Sequence, residues 1–176
     1  MPSNALTVIH KFIRRELFDF AERLFRAEPQ DCSAISQALE DVTALLLQHA
    51  AMEETRLHPM LADADRTLAD HLLHDHHRLH DDLERLRAAA STLTANEVDC
   101  TERLLQLHLD WNRFLAAYLA HLDEEERTLF APIAHQLPSI PAWSASLRSQ
   151  PEGRAILLRL WSVTTCAERA ALGALD

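Results

Sequence analysis

The segment His49-Ala-Ala-Met-Glu53-Glu54-x-x-Leu57 returns later in the chain as His121-Leu-Asp-Glu-Glu125-Glu126-x-x-Leu129, with the His and the first Glu each displaced by 72 positions. A His and a Glu four residues apart on a helix share one face, one turn apart, with Cβ atoms roughly 5–6 Å from each other. Both side chains of each copy can therefore reach a single point. His10-x-x-Ile13-x-x-x-Leu17 is echoed by His76-x-x-Leu79-x-x-x-Leu83, 66 positions on. Each half of the chain thus supplies a single-His helix followed by a His/Glu helix, the plan of a two-metal site in a bundle of four helices.

The rest of the chain agrees with helices. Only 2 glycines occur in 176 residues, while Ala, Leu, Glu and Arg abound, a balance that favours helix and leaves little turn chemistry for a sheet. Apolar residues recur at three-to-four spacing, predicting helices over about 4–28, 31–58, 66–90 and 94–133, with Pro29 and Pro59 as stops and Thr94-x-x-Glu97 as a capping box. The expected fold is all-α: an antiparallel up-down-up-down four-helix bundle over residues 1–137. Residues 138–176 read as a Pro-containing linker followed by one more helix, opened by Ser149-x-x-Glu152. Ile156, Leu157, Leu160, Trp161 and Val163 are too apolar to stay in water, so this tail packs on the bundle or forms a homodimer or partner contact.

A formal charge of −10 without any Lys/Arg block sets phosphate backbones and anionic membrane surfaces against the chain. Neither nucleic acid nor a membrane is an expected partner. No apolar run approaches a membrane span, and no basic and apolar leader opens the sequence, so a cytoplasmic location is expected. Cys32, Cys100 and Cys166 lack metal-type or paired spacing and read as three reduced thiols.

Helical geometry sorts the 11 histidines. At 100° per residue His80 lies about 40° from His76, whereas His77, His74 and His71 lie about 100°, 160° and 140° away. Glu125 lies about 40° from His121, with Glu124 about 60° to the other side as a competitor; the match to Glu53 favours Glu125. His58, His108 and His135 read as surface or helix-end residues. The selected set is His10, His49, Glu53, His76, His80, His121 and Glu125.

One His on an apolar stripe is ordinarily a core residue, but five with two carboxylates are not. Burying both carboxylates uncompensated costs several kcal/mol each, and a pair of cations removes that cost. Imidazole with carboxylate and no thiolate suits iron, with manganese or zinc as alternatives. If Glu53, Glu125 and one solvent-derived oxygen (oxo or hydroxo) all bridge, a metal held by His76, His80 and His121 has six ligands. Its partner, held by His10 and His49, has five. The single open position suits a diatomic such as dioxygen, and Leu46, Trp111, Phe114 and Tyr118 are placed to wall it with apolar surface.

These motifs, together with Leu129-Phe130-x-Pro132, resemble the hemerythrin / HHE cation-binding family over roughly residues 4–135. The resemblance maps the family's ligands onto the seven selected positions and implies a non-haem di-iron centre that binds dioxygen reversibly in the best-known members. Animal oxygen carriers place Asp five residues after the last His; this chain has Glu four residues after it, as bacterial and regulatory relatives do. His80 is a fifth His that many HHE relatives lack. The expected function is uptake of dioxygen or another diatomic for sensing or storage. The alternatives are a redox-defence enzyme acting on peroxide or nitric oxide and an iron-dependent regulator. Ferritin-like oxidation fits less well, because no His here has a Glu three positions before it.

Overall fold

The computed structural model describes residues 4–95, 99–128, 130–133, 136–149 and 153–173. Their regular structure is entirely helical: α1 (Ala5–Phe25), a short 3-10 turn (Pro29–Asp31), α2 (Cys32–Ala64), α3 (Arg66–Ser91), α4 (Cys100–Thr128), α5 (Phe130–Ile133), α6 (Ile140–Arg148), α7 (Gly153–Trp161) and α8 (Cys166–Leu172). None of these helices is long and apolar enough to cross a membrane. Glu97, Leu129, His135 and Glu152, which figure in the sequence reading, lie outside the described residues.

The chain divides into two compact units, one of Met1–Arg15 with Ile133–Asp176 and one of Glu16–Pro132. In the larger unit α2 packs along α3 and α3 along α4. Asp65 alone separates α2 from α3 and caps the latter, its carboxylate accepting from the Leu68 N–H at 3.0 Å. The apolar stripes behave as their spacing requires: Leu39, Leu46, Leu72, Leu83, Leu107 and Trp111 are buried. Phe20 meets Trp111 edge-on, with ring centroids 4.4 Å apart.

Pro59 does not stop α2, which runs on to Ala64. A proline inside a helix removes one backbone hydrogen bond and costs about 3 kcal/mol or more. Leu57 and Leu61, buried on either side of it, offset that loss, since burying a Leu side chain is worth about 1.5–3 kcal/mol. The continuation carries His58 inward.

The smaller unit is built on the first turns of α1. Lys11 Nζ meets Glu168 Oε1 at 2.6 Å, Arg15 donates to the Ser162 hydroxyl, and the Arg159 guanidinium sits 4.8 Å above the Phe12 ring. The tail holds more helix than its prolines suggest. Ser139 caps α6, and Pro141 sits in the first turn, where a missing N–H costs nothing. Thr165 and Glu168 form a reciprocal capping box that opens α8. Gly173, at φ +81°, ends it.

Candidate metal centre

Within the larger unit α2 contributes His49, Glu53, Glu54 and His58, α3 contributes His76, and α4 contributes His121 and Glu125. The stripes that bury Leu46 and Leu57 on α2, Leu72 and Leu79 on α3, and Tyr118 and Leu122 on α4 carry these polar groups inward with them. Glu53 and Glu125 are fully buried, and His49, His76 and His121 are 5%, 6% and 3% exposed.

The nitrogens converge on the two carboxylates. His49 Nε2 lies 3.3 Å from Glu53 Oε1, and His121 Nε2 lies 3.3 Å from Glu125 Oε1. His76 Nε2 lies 3.5 Å from both Glu53 Oε2 and Glu125 Oε1. Glu53, His76, His121 and Glu125 each offer a ligand atom within 4.8 Å of all the others, and so do His49, Glu53 and Glu125. The two groups share both carboxylates.

These separations exceed the 2.7–2.9 Å of a strong charge-assisted hydrogen bond. They are close to what neighbouring ligands keep around one ion, because metal bonds of about 2.0–2.2 Å at tetrahedral or octahedral angles set ligand atoms roughly 3–3.5 Å apart. The donor chemistry and the spacing therefore fit a cation.

The imidazoles differ in character. Burial alone lowers the pKa of His76, but hydrogen bonding to Glu125 and Glu53 and their negative charge outweigh it, raising it to about 10. Burial lowers the pKa of His121, with the charge of Glu125 opposing. Behind His76, Glu54 Oε1 lies 3.1 Å from Nδ1. An Nδ1–H donated to that carboxylate holds the ring so that Nε2 faces Glu53 and Glu125, the usual way an outer carboxylate orients a ligand.

The structure also separates the sequence candidates. Glu124 points outward, its Oε1 3.0 Å from His71 Nε2, and with Asp75 these form a solvent-facing group of three. Glu125 alone of the two competitors is buried. His10 is fully buried on α1, in the stretch that belongs to the smaller unit. His80, expected to turn inward beside His76, keeps its imidazole 51% exposed with Nδ1 3.8 Å from Asp81 Oδ1. The inward positions of that helical level are taken by Leu79 and Leu83, both buried, and an apolar side chain gains more there than an imidazole.

His58, expected at the surface or a helix end, is buried. It is 7% exposed, its ring stacks on His76 with centroids 4.9 Å apart, and neither of its nitrogens has a hydrogen-bond partner among the described residues. Burial and the charge on His76 both lower its pKa. The signal that could have found it is Leu61, whose apolar position beyond Pro59 continues the α2 stripe.

Beside His76 lies a small recess of about 30 Å³, lined by Leu46, Leu79, His80, Leu83, Phe114 and Tyr118 among others. Trp111 is not part of this lining; it is buried against Phe20 and Phe114. Burial, reinforced by the charges of Glu53 and Glu125, pushes the Tyr118 hydroxyl well above its ordinary pKa, so it stays a neutral donor.

A model of the hemerythrin HHE cation binding domain matches residues 1–139. No curated protein and no solved structure matches the chain.

Proposed function

The chain belongs to the hemerythrin HHE cation-binding domain family, and we propose that it holds two iron ions and uses them to bind dioxygen or a related diatomic for sensing or storage in the cytoplasm. In this reading α1 to α4 form the antiparallel up-down-up-down bundle. His49 with Glu53 and Glu125 holds one ion, joined by His10 on the strength of the sequence repeat. His76 and His121 with the same two carboxylates hold the other. Leaving His80 outside gives each ion two imidazoles and two shared carboxylates. With His80 outside, both ions, and not one alone, would have room for an outside ligand.

The observation that carries the diatomic is the recess beside His76. A site accepting a water needs roughly 10–15 Å³ of comparable space, whereas organic substrates occupy pockets of about 300–1,000 Å³. About 30 Å³ is room for a ligand of two or three heavy atoms. Bound iron supplies the redox and Lewis-acid chemistry that such a ligand requires. Leu46, Leu83 and Phe114 give the recess apolar walls, Tyr118 lines it with a hydroxyl that stays neutral, and Glu54 holds the His76 ring.

The test is the absorption spectrum of the iron-loaded, reduced protein as dioxygen is admitted and then removed. A new visible band that appears with the gas and fades on degassing is expected. No spectral change would sink the reading. Catalytic loss of peroxide far above that of free iron, abolished in His49→Ala, would replace binding by the redox-defence alternative.

A further inference from the structure

Cys32 is the first residue of α2 and Cys100 the first of α4. Their Sγ atoms lie 3.0 Å apart, one thiol donating to the other, with the side chains 2% and 1% exposed. Spacing along the chain gave no hint of this pair, because the contact is made only when the two helix starts are brought together. Burial, then the hydrogen bond to Cys100, raises the Cys32 thiol to about 11, so little thiolate forms at neutral pH and oxidation is slow. A disulfide has an S–S bond of about 2.05 Å; closing from 3.0 Å takes an approach of about 1 Å. Cys166 is exposed on α8 and takes no part.

We propose that Cys32 and Cys100 form a reversible disulfide that clasps the start of α2 to the start of α4, with hydrogen peroxide as oxidant. The thiolate sulfur of one Cys attacks a peroxide oxygen, the O–O bond breaks, and a sulfenic acid and a water leave the first step. The second thiol, surrendering its proton, attacks that sulfur; the S–O bond breaks and a second water departs. Two thiols and one peroxide give one disulfide and two waters: the sulfurs lose two electrons and the peroxide gains them. Peroxide is small enough to reach sulfurs that a bulky disulfide reagent cannot. The clasp closes a loop of more than sixty residues (100 − 32 = 68), and so restrains the unfolded chain strongly.

The experiment uses the full-length Cys166→Ser chain, treated with peroxide in the presence of a chelator, then unfolded and alkylated. The expected product has lost two hydrogens by mass, takes up no alkyl group, yields a cross-linked peptide pair containing Cys32 and Cys100, and recovers both thiols with dithiothreitol. Its melting temperature should exceed that of the reduced chain by roughly 5–15 °C. Two alkylatable thiols after prolonged treatment, oxidation to sulfinic acid without a cross-link, or cross-links only between chains would overturn the proposal. A disulfide that lowers the melting temperature would overturn the clasp.

Discussion

Glu53→Gln is expected to abolish nearly all of the stability that metal confers on this protein. The Glu53 carboxylate is fully buried, with Oε1 3.3 Å from His49 Nε2 and Oε2 3.5 Å from His76 Nε2. It belongs to both ligand groups, so one substitution weakens both. A metal present at a thousand times its dissociation constant adds about 4 kcal/mol to the folded state. For a chain of this size that is a rise of roughly 8–16 °C in melting temperature, at about 2–4 °C per kcal/mol. Gln fills nearly the same volume but carries no charge and offers one acceptor oxygen in place of two.

The metal-free variant should melt within a few degrees of the metal-free native chain, because it no longer buries an anion in the core. Its increment on adding ferrous or zinc ion should be close to zero. Thermal melts of both proteins with and without metal decide this. A variant that keeps more than half of the native increment would show that Glu53 is not a shared ligand.

The second large effect is a loss of metal-free stability as the solution becomes alkaline. Without a cation, a proton on His76 is the positive charge that stands between Glu53 and Glu125, and the folded-state pKa is about 10 against about 6.5 for an unfolded imidazole. A raised pKa stabilises fully below the unfolded value and is lost as pH rises through the folded one. The window runs from about 6.5 to about 10, and the stability at stake is on the order of a few kcal/mol. His58 and His121, both lowered chiefly by burial, act in the opposite sense: their contribution is present above pH 6.5 and lost below it.

Metal-free stability should therefore peak near neutrality. Metal competes with the His76 proton, so loading should become tighter as pH rises and the loaded protein should resist alkali better. Melts of the metal-free chain at pH 7, 8.5 and 10 should show a decline of several degrees that bound zinc suppresses. A flat profile between pH 7 and pH 10 would contradict the charge assignment.

Much of this architecture could be read from periodicity, and the exceptions share a cause. His49, Glu53, His121 and Glu125 stand on helices whose apolar residues leave them no direction but inward, and the repeat at 72 positions made the pairs visible. The limits of α3 followed from its apolar stripe. His80 stands exposed: an angle on an ideal helix gives direction but not which turn the core has already filled with Leu79 and Leu83. His58 was missed because Pro59 is a helix breaker by local rules, and only the burial of Leu57 and Leu61 carries the helix through it. Pro141 misled in the same way, since a proline that ends one helix looks identical in sequence to one that begins another. The Cys32–Cys100 contact has no local signature. Nor could Trp111 be told from the residues lining the recess, since Trp111, Phe114 and Tyr118 share a face of α4 and only packing against Phe20 distinguishes the first.

In the proposed centre two cations share Glu53 and Glu125. This sharing is tested most directly by anaerobic titration of the metal-free chain with ferrous iron, with the bound metal counted after gel filtration. Saturation is expected at two irons per chain, and at one for His10→Ala. Saturation of the native chain at one iron or none would contradict it.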